Sequence, residues 1–135
     1  MNATAQSNKA SKDNSKKSIL ARSCDPELSR SFAEIAPSLT GNAEYVYVTN
    51  DDEFFKQLKS RKWSVVYFAP GACRFSAAQR QIPGSRNNTA NWSLDDYIKY
   101  IKTIQGDSIQ IAQSPFESES LKELNKALDK AYNVK

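Results

Sequence analysis

Histidine is absent from the 135 residues of this chain, and that gap removes more chemistry than any other feature of the composition. Without imidazole there is no Ser-His-Asp or Cys-His catalysis, no histidine proton shuttle near neutral pH, and no histidine-bearing zinc site. Cysteine is scarce too. Cys24 and Cys73 cannot make a cysteine-only zinc site within one chain, and their spacing gives no argument for a disulfide. Long apolar runs are missing, so no stretch has the length of a membrane span, and the N-terminus lacks the apolar core of a secretory signal. The expectation is a soluble, intracellular protein, cytoplasmic by default, with free thiols and neither metal nor cofactor. The sequons at Asn2, Asn87 and Asn91 then carry no meaning, because they are used only on the secretory path.

What is present is a charge pattern. Residues 1–22 hold Lys9, Lys12, Lys16, Lys17 and Arg22 against Asp13, a net of +4 that equals the net of the whole chain. The remainder, 23–135, therefore sums to zero, and the basic character belongs to the N-terminal stretch. That stretch is rich in Ser, Asn, Ala and Lys, with Ile19 and Leu20 its large aliphatic residues after Met1. Such a composition does not bury enough surface to offset its ordering entropy, so it is expected to be a disordered basic tail. Its serines and near lack of acids suit a transit peptide, but Arg22 is its one arginine, where such peptides favour several. A single domain is expected over 23–135.

Start and stop signals divide that domain. Asp25-Pro26 caps a first helix, with Leu28, Phe32 and Ile35 as its buried stripe and Pro37 as its stop. Tyr45–Val48 reads as a strand. Asn50 to Glu53 is a capping box opening a helix to about Lys62, with Phe54, Phe55 and Leu58 inward. Ser64–Ala69 is a short apolar run rich in β-branched and aromatic residues, the mark of a buried strand, and Pro70-Gly71 turns the chain after it. A short helix is expected over Phe75–Ile82. Ser93 with Asp96 caps the next helix, Trp92 staples onto Tyr97, and Gly106 supplies the left-handed end. Ser108–Ala112 alternates like a strand, and Ser114-Pro115-Phe116-Glu117 opens a last helix through Leu121, Leu124, Leu128 and Ala131. The order α-β-α-β-α-α-β-α gives an α/β fold with a small, mainly parallel sheet flanked by helices. Three strands are few for such a sheet; a fourth is expected near residues 80 to 90, or from a partner.

The strand-turn-helix at 63–84 is the place to look for a site, because open α/β sheets bind ligands beyond the carboxyl ends of their strands. Residues 56–86 carry Lys56, Lys59, Arg61, Lys62, Arg74, Arg80 and Arg86 with no acid. Lys59, Arg61 and Lys62 complement a helix C-terminus. Arg74, Arg80 and Arg86 do not, and with the backbone of Gly71 and Ala72 they form a candidate anion site. Cys73, if it opens a helix, would be held toward the thiolate by the helix N-terminus and by Arg74 and Arg80; the opposing expectation is a buried, space-filling cysteine. A phosphatase-type loop needs arginine six places after its cysteine, and from Cys73 that place is Gln79. The neighbouring acids Asp51-Asp52 and Asp95-Asp96 lie in helix first turns, where capping accounts for them.

Tyr67-Phe68-Ala69-Pro70-Gly71-Ala72-Cys73 resembles the first strand-to-helix turn of bacterial glutathione transferases. The resemblance implies a thioredoxin-like fold and a Cys73 lying beside glutathione. Here a β-α unit precedes the turn and no second cysteine completes a CxxC pair. Beside a scaffold whose short sheet is completed by pairing with another chain, the sequence yields two functional expectations. One is a non-enzymatic binding or interaction module that receives an anionic ligand or acidic partner around Pro70-Gly71, with nucleic acid a candidate through the basic tail. The other is a thiol-dependent enzyme of thioredoxin-like or glutathione-transferase-like fold using Cys73.

Overall fold

Every strand of the sheet points the same way. The computed structural model describes residues 13–69, 89, 91–114 and 116–135. It comprises β1 (Ser18–Arg22), α1 (Pro26–Leu39), β2 (Glu44–Val48), α2 (Asp51–Ser60), β3 (Val65–Phe68), α3 (Leu94–Gln105), β4 (Gln110–Gln113) and α4 (Glu117–Lys130). The four strands form one parallel sheet in the order β2-β1-β3-β4. The α/β class and parallel sheet are therefore as expected. A thioredoxin-like sheet includes antiparallel strands, and this one has none among the described residues.

The strand missing from the sequence reading is β1. Residues 18–22 are not a disordered tail; they are an inner strand, paired with β2 on one side and β3 on the other. Ile19, Leu20 and Ala21 are completely buried, which is what an inner strand of a parallel sheet requires of both its faces. The domain thus begins before residue 23. Asn14 anchors the approach, its amide donating to the Gly41 carbonyl and its side-chain Nδ2 to the Thr40 carbonyl at 3.0 Å. Two of the bases assigned to the tail are also committed to the domain: Lys17 donates to the Leu128 carbonyl at 2.6 Å, and Arg22 is fully enclosed.

The register sorts the side chains into two layers. Val46, Leu20, Val66 and Ile111 stand in one row across the strands, and Val48, Arg22, Phe68 and Gln113 in another. These rows face α2 and α3, where Phe54, Phe55, Leu58, Trp63, Tyr97 and Ile101 pack against them. The alternate residues, including Ile19, Ala21, Val65, Tyr67 and Ala112, face α4 with Leu124, Ala127 and Leu128.

Local signals placed most of the helices. Asp25 caps α1, its Oδ1 accepting from the amides of Glu27 at 2.9 Å and Leu28 at 3.3 Å. Ser93 and Asp96 close a reciprocal box on α3, and Trp92 lies edge-on to Tyr97 with ring centroids 5.1 Å apart. Gly106 ends α3 at φ 98°, a conformation that favours glycine. Other details differ. Pro37 does not stop α1; it sits in its last turn, and the helix runs to Leu39. The α1 stripe is buried only in part: Phe32 packs against Tyr45 and the core, Leu28 is 65% and Ile35 51% exposed, and Ser29 and Ala36 face inward. The cap of α4 is Phe116, without a side-chain bond; Ser114 instead closes a local turn, accepting from the Phe116 amide at 3.1 Å. The short helix expected over 75–82 lies outside the described residues.

Candidate functional site

In this strand order the chain leaves β1 toward β2 on one side and later adds β3 on the other. The carboxyl ends of β1 and β3 therefore flank the reversal point, the crevice where parallel α/β sheets take ligands. The side chain that β1 delivers there is Arg22. Alternation puts it on the α2 face, between Val48 and Phe68, and such a charge is tolerated only with a partner. Asp51, the first residue of α2, supplies it.

The cluster is dense. Arg22 Nε donates to Asp51 Oδ1 at 2.9 Å, both side chains being fully buried, and the guanidinium also donates to the Ser23 carbonyl. Asp51 Oδ2 accepts from the Thr89 hydroxyl and from the Tyr97 hydroxyl, each at 2.7 Å. Burial pushes the Tyr97 phenol up from its ordinary value, and its bond to the Asp51 carboxylate pushes it further. Tyr97 thus stays a neutral donor, and Asp51 is held by three donors from β1, α3 and the approach to α3. An isolated loss of any one donor leaves the carboxylate buried and under-served.

The expected site residues Gly71, Ala72, Cys73, Arg74, Arg80 and Arg86 all lie in 70–88, outside the described residues. The structure does fix both feet of that segment. At one foot the Ala69 amide donates to the Arg22 carbonyl at 3.1 Å. At the other, Thr89 bonds to the carboxylate of the Arg22–Asp51 pair. The described residues that flank 70–88 thus both lie beside Arg22, Ala69 through the Arg22 main-chain carbonyl and Thr89 through Asp51, the partner of the Arg22 side chain.

A cysteine does lie on this edge, but a different one. Cys24 follows β1, and the sixth residue after it is Arg30, the spacing that Cys73 lacks. The spacing forms no phosphate cradle. The helix starts at Pro26, the Asp25 carboxylate already occupies the amides of Glu27 and Leu28, and Arg30 points outward to Glu27 at 3.1 Å. A phosphate would have to displace a carboxylate of its own charge sign. Among the described residues no group of three or more cysteine, aspartate or glutamate side chains is placed to hold a metal ion.

No protein-family model matches the chain, and neither does any curated protein or solved structure.

The amino edge of the sheet offers a contrast. A hollow of about 240 Å³ lies there between Trp63, Gln105, Ile109 and the C-terminal residues Tyr132 to Val134. Its cation is committed, Lys62 Nζ donating to the Gln105 carbonyl at 2.6 Å. Beside it Glu44 accepts from Ser18, Arg61 and Lys135, at 3.0, 3.1 and 2.9 Å. Arg61 first, then Lys135, hold the Glu44 carboxyl down at about 2. These contacts fasten the C-terminus to the starts of β1 and β2, and leave the hollow no unspent charge to orient a ligand. The carboxyl edge is the stronger candidate.

Arg22 and Thr89 escaped sequence reasoning. The available signal for Arg22 was the run Ser18-Ile19-Leu20-Ala21, apolar enough for a short inner strand but hidden by the lysines before it. Nothing local marks Thr89, because its partner lies on another element.

Proposed function

We propose that this protein is a binding module that receives an anionic group at the carboxyl edge of its sheet, between β1 and β3. What supports the reading is that the described residues on either side of 70–88 both bond at the carboxyl end of β1, the Ala69 amide to the Arg22 main-chain carbonyl and the Thr89 hydroxyl to Asp51, the partner of the Arg22 side chain. It ties a segment carrying Arg74, Arg80 and Arg86, with no acid between 56 and 86, to the position where this architecture takes ligands. The backbone around Gly71 and Ala72 would contribute amides, and the arginines would contribute charge-assisted bonds to phosphate or carboxylate oxygens. Asp51 stays out of the recognition step, its oxygens being engaged by Arg22, Thr89 and Tyr97. The carboxylates of Asp25 and Asp96 are likewise engaged in helix caps, accepting from the Glu27 and Ser93 amides.

Calorimetric titration with inorganic phosphate, a nucleoside monophosphate and a dicarboxylate tests the reading. Binding that weakens as salt is raised, and that falls about tenfold or more in Arg74→Ala combined with Arg80→Ala, supports it. Affinity that ignores ionic strength, or that survives the double substitution, removes it. Cys73→Ser should bind as the natural chain does. If it does not, the Cys73 thiol belongs to the site, and the alternative of a thiol-dependent enzyme gains support over a binding module.

A further inference from the structure

We infer that β2 pairs with β2 of a second copy of this chain, antiparallel across a two-fold axis at Val46, so that two four-stranded sheets become one continuous sheet. The inference does not rest on the anion site, which lies at the ends of other strands.

Among the described residues β2 is an edge strand, with β1 as its one neighbour in the sheet. The Glu44 amide donates to the Lys17 carbonyl and the Val48 carbonyl accepts from the Ser23 amide. Since a strand turns alternate residues toward a given neighbour, Glu44, Val46 and Val48 spend their backbone on β1. The N–H and C=O of Tyr45 and Tyr47 then point away from the sheet, and among the described residues no backbone group bonds to them. An edge of this kind is normally guarded by a lysine, a proline, a bulge or an inward charge. Tyr45-Val46-Tyr47-Val48 has none of these, and Glu44, the strand's charged residue, is tied to Arg61 and Lys135.

The sequence of the edge selects the partner. Tyr-Val-Tyr reads the same in both directions about Val46. A two-fold axis there sets Tyr45 of one copy opposite Tyr47 of the other, on both sides of the axis. Each such pair exchanges two N–H···O=C bonds through the groups that are turned outward. It also places two half-buried tyrosine rings side by side, an aromatic cross-strand contact that adds to the ladder. Glu44 falls opposite Val48 of the other copy, so the two carboxylates end far apart. An isologous contact of this form closes on itself and stops at two subunits.

Sedimentation velocity of the full chain over a wide concentration range tests this, together with amide exchange. The expected result is a species of twice the chain mass that dissociates on dilution. The Tyr45 and Tyr47 amides should slow as the dimer forms, while those of Val46 and Val48 remain slow throughout. Tyr47→Pro removes one outward N–H and leaves the β1 ladder intact, and it should weaken association about tenfold or more at unchanged far-UV circular dichroism. If that variant does not fold, Tyr47→Lys installs the missing guard and should have the same effect. A monomer at every concentration overturns the inference. So does a dimer indifferent to the folded variant, or tyrosine amides whose protection does not depend on concentration.

Discussion

Under α2 and α3 the sheet meets Phe54, Phe55, Trp63, Phe68, Tyr97 and Ile101, whereas under α1 and α4 the same strands meet Ala43, Ala112, Ala127 and Ala131. On the first face the rings interlock, Phe54 with Phe55 and Phe68, Phe55 with Tyr100, and Phe68 with Tyr97, at centroid separations of 4.9–6.0 Å. On the second, rows such as Tyr47-Ala21-Tyr67-Ala112 alternate large and small. There Tyr67 bonds to Ser120 of α4, and Tyr45 packs edge-on to Phe32 of α1. The alanines let α4 lie close to β4, yet α1 keeps Leu28 and Ile35 in solvent. The buried ion pair belongs to the aromatic face. Enclosing an arginine and an aspartate calls for a wall that excludes water and for donors placed to complete the bonding, and Tyr97 serves as both.

The comparison can be broken most forcefully at the charge pair. Asp51→Ala strands Arg22 without its counter-ion in a dry site and is expected to cost about 3–5 kcal/mol in urea unfolding. Phe54→Ala opens a cavity in the ring cluster and should cost a similar amount, about 3–5 kcal/mol at full burial. The alanine face should respond in the opposite sense, to added rather than removed volume. Ala21→Leu, forced between Tyr47 and Tyr67, is expected to cost about 1–3 kcal/mol by thermal melting. Away from both cores, Glu44 sharpens the comparison through pH. Its carboxyl falls from an ordinary 4.5 to about 2 in the folded chain, so its contribution is complete above pH 4.5 and fades as pH drops toward 2. Because that carboxylate is about one-third exposed, screening should hold the effect to about 1 kcal/mol. Glu44→Gln should therefore flatten stability against pH over that window and leave it unchanged in slope near neutrality. Smallest of all, Ile35→Ser on the open flank of α1 should shift stability by no more than about 0.5 kcal/mol.

Elements whose instructions are local were legible in the sequence. Asp25-Pro26, the Ser93–Asp96 box and Gly106 each act within a turn of their own position, and each bounds its helix where expected, Gly106 at φ 98° and ψ 164° rather than in the left-handed helical conformation. The alternation of Ile109 and Ile111 likewise placed β4. The centre of the sheet was not legible, because Arg22 reads as a solvated charge until Asp51, 29 residues away, is brought beside it. The same holds at the candidate site. The arginines after Gly71 could be counted in the sequence, but Ala69 reaches the Arg22 main-chain carbonyl, and Thr89 the carboxylate of Asp51, only through the packing of β1, α2 and α3. The misplaced stripe of α1 has a related cause. Helical spacing shows that Leu28, Phe32 and Ile35 share a side, but not that Phe32 reaches the sheet beside Tyr45 while Leu28 and Ile35 stay exposed.

Because β1 is made first and then enclosed from both sides, the order of synthesis and the order of assembly run against each other. As the chain emerges, Ile19, Leu20 and Ala21 can gain β2 on one flank early, but the other flank stays open until Val65–Phe68 arrive. Until then a greasy strand with half its ladder unfilled is exposed to whatever else is nearby. The lysines at 16 and 17 that disguise this segment as a tail are well placed to keep it dissolved during that wait.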